Sequence, residues 1–324
     1  MAAFLPRDTR ADSVLRVRCY TMLACFMRFP QEERGMPKRS LRFLLYSIHG
    51  HLATGVPDYI ALFRSLTSLK GHHHEEGKRQ VAIGTARLVE NQSRLLLIVY
   101  TGDKEKSILF FDLNEQAEFN ALNSPGQFAA RKTHVLIDPA QRTLLIETGR
   151  GCLPAEELAK IIETEARKVA EYSTLELSFT PVAAQAFMTK IGQMERIQSA
   201  TVTIARPNVD WSDSYKVLSG LADDSKGKAI DATIRARRGD SLSKESGIIP
   251  SMKHWLSDKL SAVASATIKG SSGDKSGLIT LKLNDYVEAL NVVTDVQAES
   301  GQPLEIAIEE KLNSYLDAKR EKDA

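Results

Sequence analysis

Strand-like and helix-like segments alternate between residues 174 and 238, and this alternation limits the possible folds more than any other part of the chain. In residues 175–179 apolar and polar side chains alternate, which is the pattern of a strand with one buried face. Similar strand patterns occur in residues 196–205 and 230–238. Apolar residues at helical spacing lie between these strands. This order of elements predicts a structure that mixes α-helices and β-strands.

The part of the chain before Gly149 has a different pattern, in which short aliphatic segments are separated by turn-forming residues. Six segments have the composition of strands, namely residues 41–48, 81–88, 94–100, 106–112, 134–138 and 143–147. Asn, Asp, Gly or Pro residues separate several of them, which favours hairpin connections. Residues 58–69 have helical spacing. We therefore predict a meander of antiparallel strands with one helix on a face of the sheet.

The sequence Gly149-Arg150-Gly151 marks the change from strand patterns to helical spacing, which begins near Pro154. We predict an antiparallel-sheet domain with one helix over residues 39–150 and an α+β domain over residues 151–324. The second domain ends in a predicted helix over residues 303–319. The fold class predicted for the whole chain is α+β.

Residues 1–38 are predicted to be an extension, either disordered or upstream of a true start at Met36. An arginine-rich targeting peptide is the alternative interpretation. The first 35 residues carry six arginines and four acidic residues, a difference equal to the net charge of +2 of the whole chain. The chain after Met36 is therefore neutral, and a nucleic-acid-binding face would have to be a local basic patch.

Composition favours a soluble cytoplasmic protein without a cofactor. Hydrophobic residues make up 43% of the 324 residues, enough to form the cores of about two domains. No apolar run approaches the roughly 20 residues that a membrane span requires. The 3 cysteines have no CxxC spacing, which argues against a disulfide framework and a zinc site and favours a reducing compartment.

Two histidine-rich segments are candidates for metal binding. Residues 72–76 read His-His-His-Glu-Glu, but consecutive side chains do not converge on one ion, so we interpret them as a solvated loop. His49 and His51 alternate near a strand end and point the same way. With a carboxylate from elsewhere they support the alternative of a metal-dependent nuclease.

Two other segments lack the context that catalysis requires. Residues 270–277 are rich in Gly and Ser, but Asp274 precedes Lys275 and a strand pattern follows, so a hairpin loop is predicted instead of a phosphate-binding loop. Cys152 has no recognisable base as a partner. We therefore predict no catalytic residue.

The strand over residues 230–238 carries the strongest nucleic-acid signal. Six basic residues on this strand or near it are the candidate binding residues: Arg235, Arg237, Arg238, Lys226, Lys228 and Lys244. Two arginines two residues apart on one strand face are spaced to contact successive phosphates. The alternative is an ordinary solvated sheet face whose charges pair with Asp231 and Asp240.

The second half of the chain resembles the RexA-like phage-exclusion proteins. The resemblance lies in Met-Thr-Lys-Ile-Gly at residues 188–192, the strand at residues 199–205 with its Arg-Pro exit, a lysine-bearing helix, and Ile-Asp-Ala-Thr-Ile-Arg-Ala at residues 230–236. As a pattern of elements it extends over most of residues 40–320. It implies a non-catalytic sensor or regulator of abortive-infection type in anti-phage defence. Such a protein acts as a homodimer, binds DNA with little sequence preference and has a separate membrane protein as effector.

Three functions from different classes therefore remain open. The first is the DNA-binding sensor, and the second is the nuclease that uses His49 and His51. The third is a protein-interaction subunit of a defence complex, in which antiparallel edge strands or the helix over residues 304–316 mediate assembly.

Overall fold

The fold was obtained as a computed structural model. It describes residues 38–76, 79–103, 108–112, 117–121, 128–205, 229–258, 261–272, 277–297 and 302–323. All of these residues belong to one compact unit, Pro37–Ala324. The predicted extension lies outside the described residues except for Lys38, and so does the lysine-bearing helix predicted after residue 207.

The described residues contain fourteen strands and five α-helices. The strands are β1 (Lys38–His51), β2 (His73–Glu76), β3 (Arg79–Val89), β4 (Arg94–Asp103), β5 (Ile108–Asp112), β6 (Ala117–Ala121), β7 (Ala129–Asp138), β8 (Thr143–Thr148), β9 (Glu176–Pro181), β10 (Arg196–Ala205), β11 (Ala229–Arg235), β12 (Val263–Ser271), β13 (Ile279–Lys282) and β14 (Ala289–Asp295). The α-helices are α1 (Tyr59–Ser65), α2 (Ala155–Ala166), α3 (Gln185–Gln193), α4 (Ile248–Ser257) and α5 (Glu305–Asp323). Short 3₁₀ helices cover Leu66–Leu69, Ala170–Tyr172 and Leu283–Tyr286.

An antiparallel sheet of eight strands forms the larger part of the described fold. Its order is β14-β1-β8-β7-β4-β3-β2, and β9 also pairs with β1. A second sheet has the order β11-β10-β12-β13, while β5 and β6 pair with each other. Antiparallel sheets with separate helices packed on them define the α+β class, so the predicted fold class is confirmed.

Strand β1 joins the two halves of the chain within the large sheet. One of its edges pairs with β8, and the other pairs first with β14 and then with β9. With 14 residues, β1 is long enough to accommodate both of these partners end to end. The sheet therefore extends across the domain boundary predicted at residue 150, and its strand order is not that of a simple meander.

Helices cover both faces of the large sheet. On one face, Leu62 and Phe63 of α1 and Leu158 of α2 are fully buried in a core with the sheet. On the other face, Ile308 and Leu312 of α5 pack against the sheet at helical spacing. The apolar stripe of the C-terminal helix is thus buried within the chain, while Ile306 near the start of the same helix is exposed. The role of this helix in assembly stays a prediction.

The small sheet is covered on one face by α3 and α4. Phe187 of α3 and Trp255 of α4 pack against Ala200, Val202 and Ile268 of the sheet. These sheet residues alternate with polar ones that lie on the opposite face. The polar face is described in the next subsection.

Helix α3 begins later than the sequence pattern indicates. Thr180 and Pro181 have the features of a helix start, but both pair with β1 as the end of β9. The helix begins after Ala184, whose side chain supplies no capping hydrogen bond. Pairing with a neighbouring strand has therefore overridden the local preference of the Thr-Pro sequence.

Within the described part of the chain, no helix combines the length and the apolar composition needed to cross a membrane.

Candidate nucleic-acid interface

The polar face of the small sheet is built from hydroxyl-bearing and basic side chains on all four strands. Directly paired residues share a face of an antiparallel sheet. One row across the sheet is Arg235, Ser199, Lys269 and Thr280. The next row is Thr233, Thr201, Thr267 and Lys282, and a third is Asp231, Thr203 and Ser265. We call these eleven residues the polar face.

Hydrogen bonds between neighbouring strands fix the hydroxyl groups of the polar face. The Thr201 and Thr233 hydroxyls lie 3.0 Å apart. Thr203 donates to Asp231 Oδ1 at 2.6 Å, and Ser265 donates to Thr203 Oγ1 at 2.9 Å. These bonds use the single O–H donor of Thr203 and of Ser265, so these two hydroxyls hold neighbouring strands together and do not donate to a ligand.

Charge on the polar face is separated along the strands. Arg235, Lys269 and Lys282 are exposed and lie toward one end of the face. Asp231 lies four residues from Arg235 on the same strand, about 14 Å away, and accepts its hydrogen bond from Thr203. Asp231 is therefore too far from Arg235 to pair with it. The other acidic residue of the alternative interpretation, Asp240, lies in the turn that contains Arg237.

Lys269 and Lys282 were not among the candidate residues found from the sequence. They lie diagonally across β12 and β13, about 7–8 Å apart, because Lys282 pairs with Thr267. Their sequence signal is the same alternation of hydroxyl-bearing or basic residues with apolar residues that marks β10. Only the register between the strands shows that they share a face with Arg235.

Arg237 and Arg238 lie beyond the end of β11 and not on the strand. The strand ends at Arg235, and a turn follows in which Asp240 N donates to Arg237 O at 2.9 Å. Gly239, with φ of +92°, permits this turn because residues with a side chain rarely adopt that conformation. Both arginines are exposed beside the basic end of the polar face.

Of the three candidate lysines, Lys244 alone lies within the described residues. Lys244 is half-buried, and its Nζ donates to Gly192 O at 3.0 Å near the end of α3. This contact holds the loop after β11 against α3, with the ammonium group of Lys244 bound to the carbonyl of Gly192. Lys226 and Lys228 lie outside the described residues.

His49 is a structural residue and not a metal ligand. It is 2% exposed, and its Nε2 lies 2.9 Å from Thr180 Oγ1 and 3.0 Å from Ser261 O. Burial lowers the pKa of His49 to about 4, although the bond to the Ser261 carbonyl opposes this change. Nε2 is therefore occupied by contacts to β9 and to the segment before β12, and the side chain is buried.

The histidine-rich segment over residues 72–76 is not the loop that the sequence predicted, although His72, His73 and Glu75 are exposed to solvent. His73–Glu76 forms β2 and pairs with β3. His72 Nδ1 and His74 Nε2 lie 3.1 and 3.2 Å from the two carboxylate oxygens of Glu165, a buried residue of α2. Lys168 Nζ lies 2.7 Å from the same oxygens and supplies the cation.

Glu165 has opposing influences on its pKa. Burial raises it, but hydrogen bonds from Lys168 and His72 lower it, and the net pKa is below the ordinary value. Across the described residues, no three His, Cys, Asp or Glu side chains are grouped so as to hold a metal ion. This geometry supports a structural ion cluster that attaches β2 to α2.

Cys152 is buried, and burial together with the nearby Glu147 raises the pKa of its thiol, despite hydrogen bonds from Arg131 and Thr133. A thiol with a raised pKa is a poor nucleophile. Its surroundings therefore give no support to a cysteine-based reaction.

Comparison of the chain with models of protein families and with curated proteins found no match. The resemblance to RexA-like proteins stays a hypothesis.

Proposed function

We propose that the protein binds double-stranded DNA through the polar face and contacts the phosphate backbone with little dependence on base sequence. The observation that carries the proposal is the arrangement of Arg235, Lys269 and Lys282 on one exposed, hydroxyl-bearing face. Arginine, lysine, serine and threonine side chains are common donors to DNA phosphates.

The spacing of the basic residues suits a phosphate backbone. Neighbouring strands lie about 4.8 Å apart, so the three steps from β11 to β13 place Arg235 and Lys282 about 15 Å apart across the sheet. Each DNA strand carries one phosphate per about 3.4 Å of helix axis, so this distance corresponds to about four phosphates. Arg237 and Arg238 extend the basic surface at the turn after β11.

The side-chain types favour duplex DNA over a single strand. Sheets that bind single strands stack successive bases on aromatic side chains. The eleven residues of the polar face include no aromatic residue. They also include no Asn or Gln, the residues that most often recognise adenine, which agrees with binding that depends weakly on sequence.

A role as a sensor in anti-phage defence, action as a homodimer and cooperation with a membrane effector are further proposals. They rest on the resemblance to RexA-like proteins that was inferred from the sequence. The metal-dependent nuclease is not proposed, because His49 is buried and no group of three metal-ligating side chains occurs among the described residues.

Fluorescence anisotropy with two unrelated duplexes of equal length tests the proposal. We expect similar Kd values for both duplexes and at least about tenfold weaker binding by the Arg235→Glu, Lys269→Glu variant. The Lys70→Glu, Lys160→Glu variant makes the same charge change at exposed positions away from the polar face and is the control. Equal loss of affinity in both variants would mean that net charge, and not the polar face, governs binding.

A further inference from the structure

A cleft of about 390 Å³ lies on the face of the large sheet that α5 covers. Gln302 and Pro303 border it just before the helix begins. Six aromatic, charged or hydrogen-bonding side chains also line it: Arg39, Tyr100, Arg131, Lys132, His134 and Glu147. We call it the basic cleft. It lies on the large sheet and shares no residue with the polar face of the small sheet.

His134 and Glu147 form a buried pair in the basic cleft. Each residue is 4% exposed, and His134 Nδ1 lies 2.7 Å from Glu147 Oε2. The backbone amide of His134 donates to the same oxygen at 3.3 Å. The carboxylate thus fixes the orientation of the imidazole ring.

The other ring nitrogen of His134 has no hydrogen-bond partner among the described residues. A buried polar atom without a partner costs about 1–3 kcal/mol. A histidine that is oriented by a carboxylate and has a free Nε2 is the arrangement by which proteins present imidazole to a ligand. His134 therefore points to an occupant of the basic cleft.

The charges around the basic cleft favour an anion. Arg39, Arg131 and Lys132 line it together with a single carboxylate, Glu147. Lys132 also binds Glu305 of α5 at 2.7 Å, which neutralises one cation. Arg131 Nη2 forms an ion pair with Glu147 Oε1 at 3.9 Å, and the Arg131 guanidinium also donates to the Cys152 sulfur. A guanidinium has five N–H donors, so these contacts leave others for a ligand.

We propose that the basic cleft binds a small phosphate monoester, with a nucleoside monophosphate as the representative size. Arg39 and Arg131 hold the phosphoryl oxygens, since the planar guanidinium matches phosphate geometry. Since the Nδ1–H of His134 donates to Glu147, Nε2 is an acceptor, and it receives a hydrogen bond from a hydroxyl group of the ligand and not from the phosphoryl group. A phosphate monoester has three terminal acceptor oxygens, one more than a carboxylate has, so both guanidinium groups can donate to it at once. The cleft volume lies in the usual range for small-ligand sites.

Isothermal titration calorimetry on the full chain tests this inference. The probes are adenosine 5′-monophosphate, ribose 5-phosphate, inorganic phosphate and adenosine. We expect both monoesters to bind, adenosine to give no heat and inorganic phosphate to bind at least about tenfold more weakly than the monoesters. The Arg39→Gln, Arg131→Gln variant should lose at least about tenfold in affinity for the monoesters.

Three further measurements distinguish loss of ligand binding at the basic cleft from misfolding and from loss of DNA binding. Arg39→Lys keeps the charge but not the guanidinium fork, so we expect an intermediate loss with an unchanged Tm. Arg235→Gln, on the polar face, should bind the monoesters normally. DNA affinity should be the same for the wild type and the cleft variant, which distinguishes failure of this site from failure of the DNA-binding proposal.

Four results would overturn the inference. The first is no heat with either monoester at about 10 mM, where a Kd of about 1 mM is detectable. The second is unchanged affinity in a folded Arg39→Gln, Arg131→Gln variant. The third is equal binding of adenosine and its monophosphate, and the fourth is equal binding of inorganic phosphate and the monoesters.

Discussion

Replacing Arg94 by methionine should weaken the attachment of α5 to the large sheet. Arg94 is 1% exposed, and its Nε donates to Asp138 Oδ2 at 3.0 Å. Its Nη1 donates to the backbone carbonyl of Asn313 at 3.2 Å and to Asn313 Oδ1 at 3.0 Å. Its Nη2 donates to Asp317 Oδ1 at 2.6 Å. One buried guanidinium therefore connects the start of β4, the end of β7 and the C-terminal half of α5.

The expected loss of unfolding free energy depends on the carboxylates that lose Arg94 as their partner. Asp138 is 3% exposed, and without Arg94 it becomes a buried carboxylate that has lost its cation. Breaking a buried ion pair by removing one partner costs about 3–5 kcal/mol. The Asp317 side chain is 49% exposed and recovers water instead, so its ion pair contributes little. We expect the free energy of unfolding to fall by about 4 kcal/mol, and Asp138→Asn added to Arg94→Met to recover part of this loss.

Urea unfolding followed by circular dichroism measures the loss, and hydrogen exchange of α5 amides locates it. Lys311→Met on the same helix is the control, because Lys311 is exposed and its Nζ donates only to a carbonyl of β14 at 2.8 Å. That variant should change the unfolding free energy by about 0.5 kcal/mol or less. A loss below about 1 kcal/mol for Arg94→Met, or unchanged exchange of α5, would refute the reasoning.

Two further experiments test other buried contacts of the fold. Burial lowers the pKa of His49 from 6.5 to about 4, so the unfolded state takes up a proton in this interval that the folded state does not. The free energy of unfolding should therefore fall by about 1.4 kcal/mol per pH unit as the pH drops from 6.5 to about 4, and it should not change above pH 6.5. Urea titrations at several pH values should show a flatter slope for His49→Gln. Equal slopes in the variant and the wild type would contradict this prediction. Gly270→Ala places a Cβ 2.1 Å from the backbone oxygen of Arg196, whereas Gly277→Ala meets no atom within 4 Å. We expect the first to lower stability by at least about 2 kcal/mol and the second to have little effect, and equal Tm values would count against this packing.

Elements with a strong local pattern could be predicted from the sequence. The strand predicted over residues 196–205 has the bounds of β10, and the strand predicted over residues 94–100 lies within β4. The predicted terminal helix overlaps α5. In each case the alternation or helical spacing of apolar residues is set by the face that the element buries, and this pattern is contained in the element itself.

Features that depend on distant partners could not be predicted. Residues 73–76 form a strand because β3 pairs with them, and Thr180 continues β9 because β1 pairs with it. The bond between His49 and Ser261 joins residues 212 positions apart. Nothing in the local sequence specifies these pairings. Residues 72–76 were therefore predicted as a loop, and Thr180-Pro181 has the local features of a helix start.

In the candidate site, too, local patterns could be predicted from the sequence and distant pairings could not. Arg235 was predicted on a polar strand face because alternation within β11 is local. Lys269 and Lys282 join it only through the register of β10, β12 and β13, which the sequence does not specify. The basic cleft was not predicted at all, because its residues come from four strands and from the segment before α5.

The salt dependence of DNA binding tests the central proposal most directly. The logarithm of the binding constant should fall linearly with the logarithm of salt concentration, with a slope of about −0.9 per phosphate contact. For Arg235→Gln with Lys269→Gln, we predict a slope shallower by about two units than that of the wild type. A slope that is the same in both proteins, or an affinity that does not fall with salt, would contradict binding through the polar face.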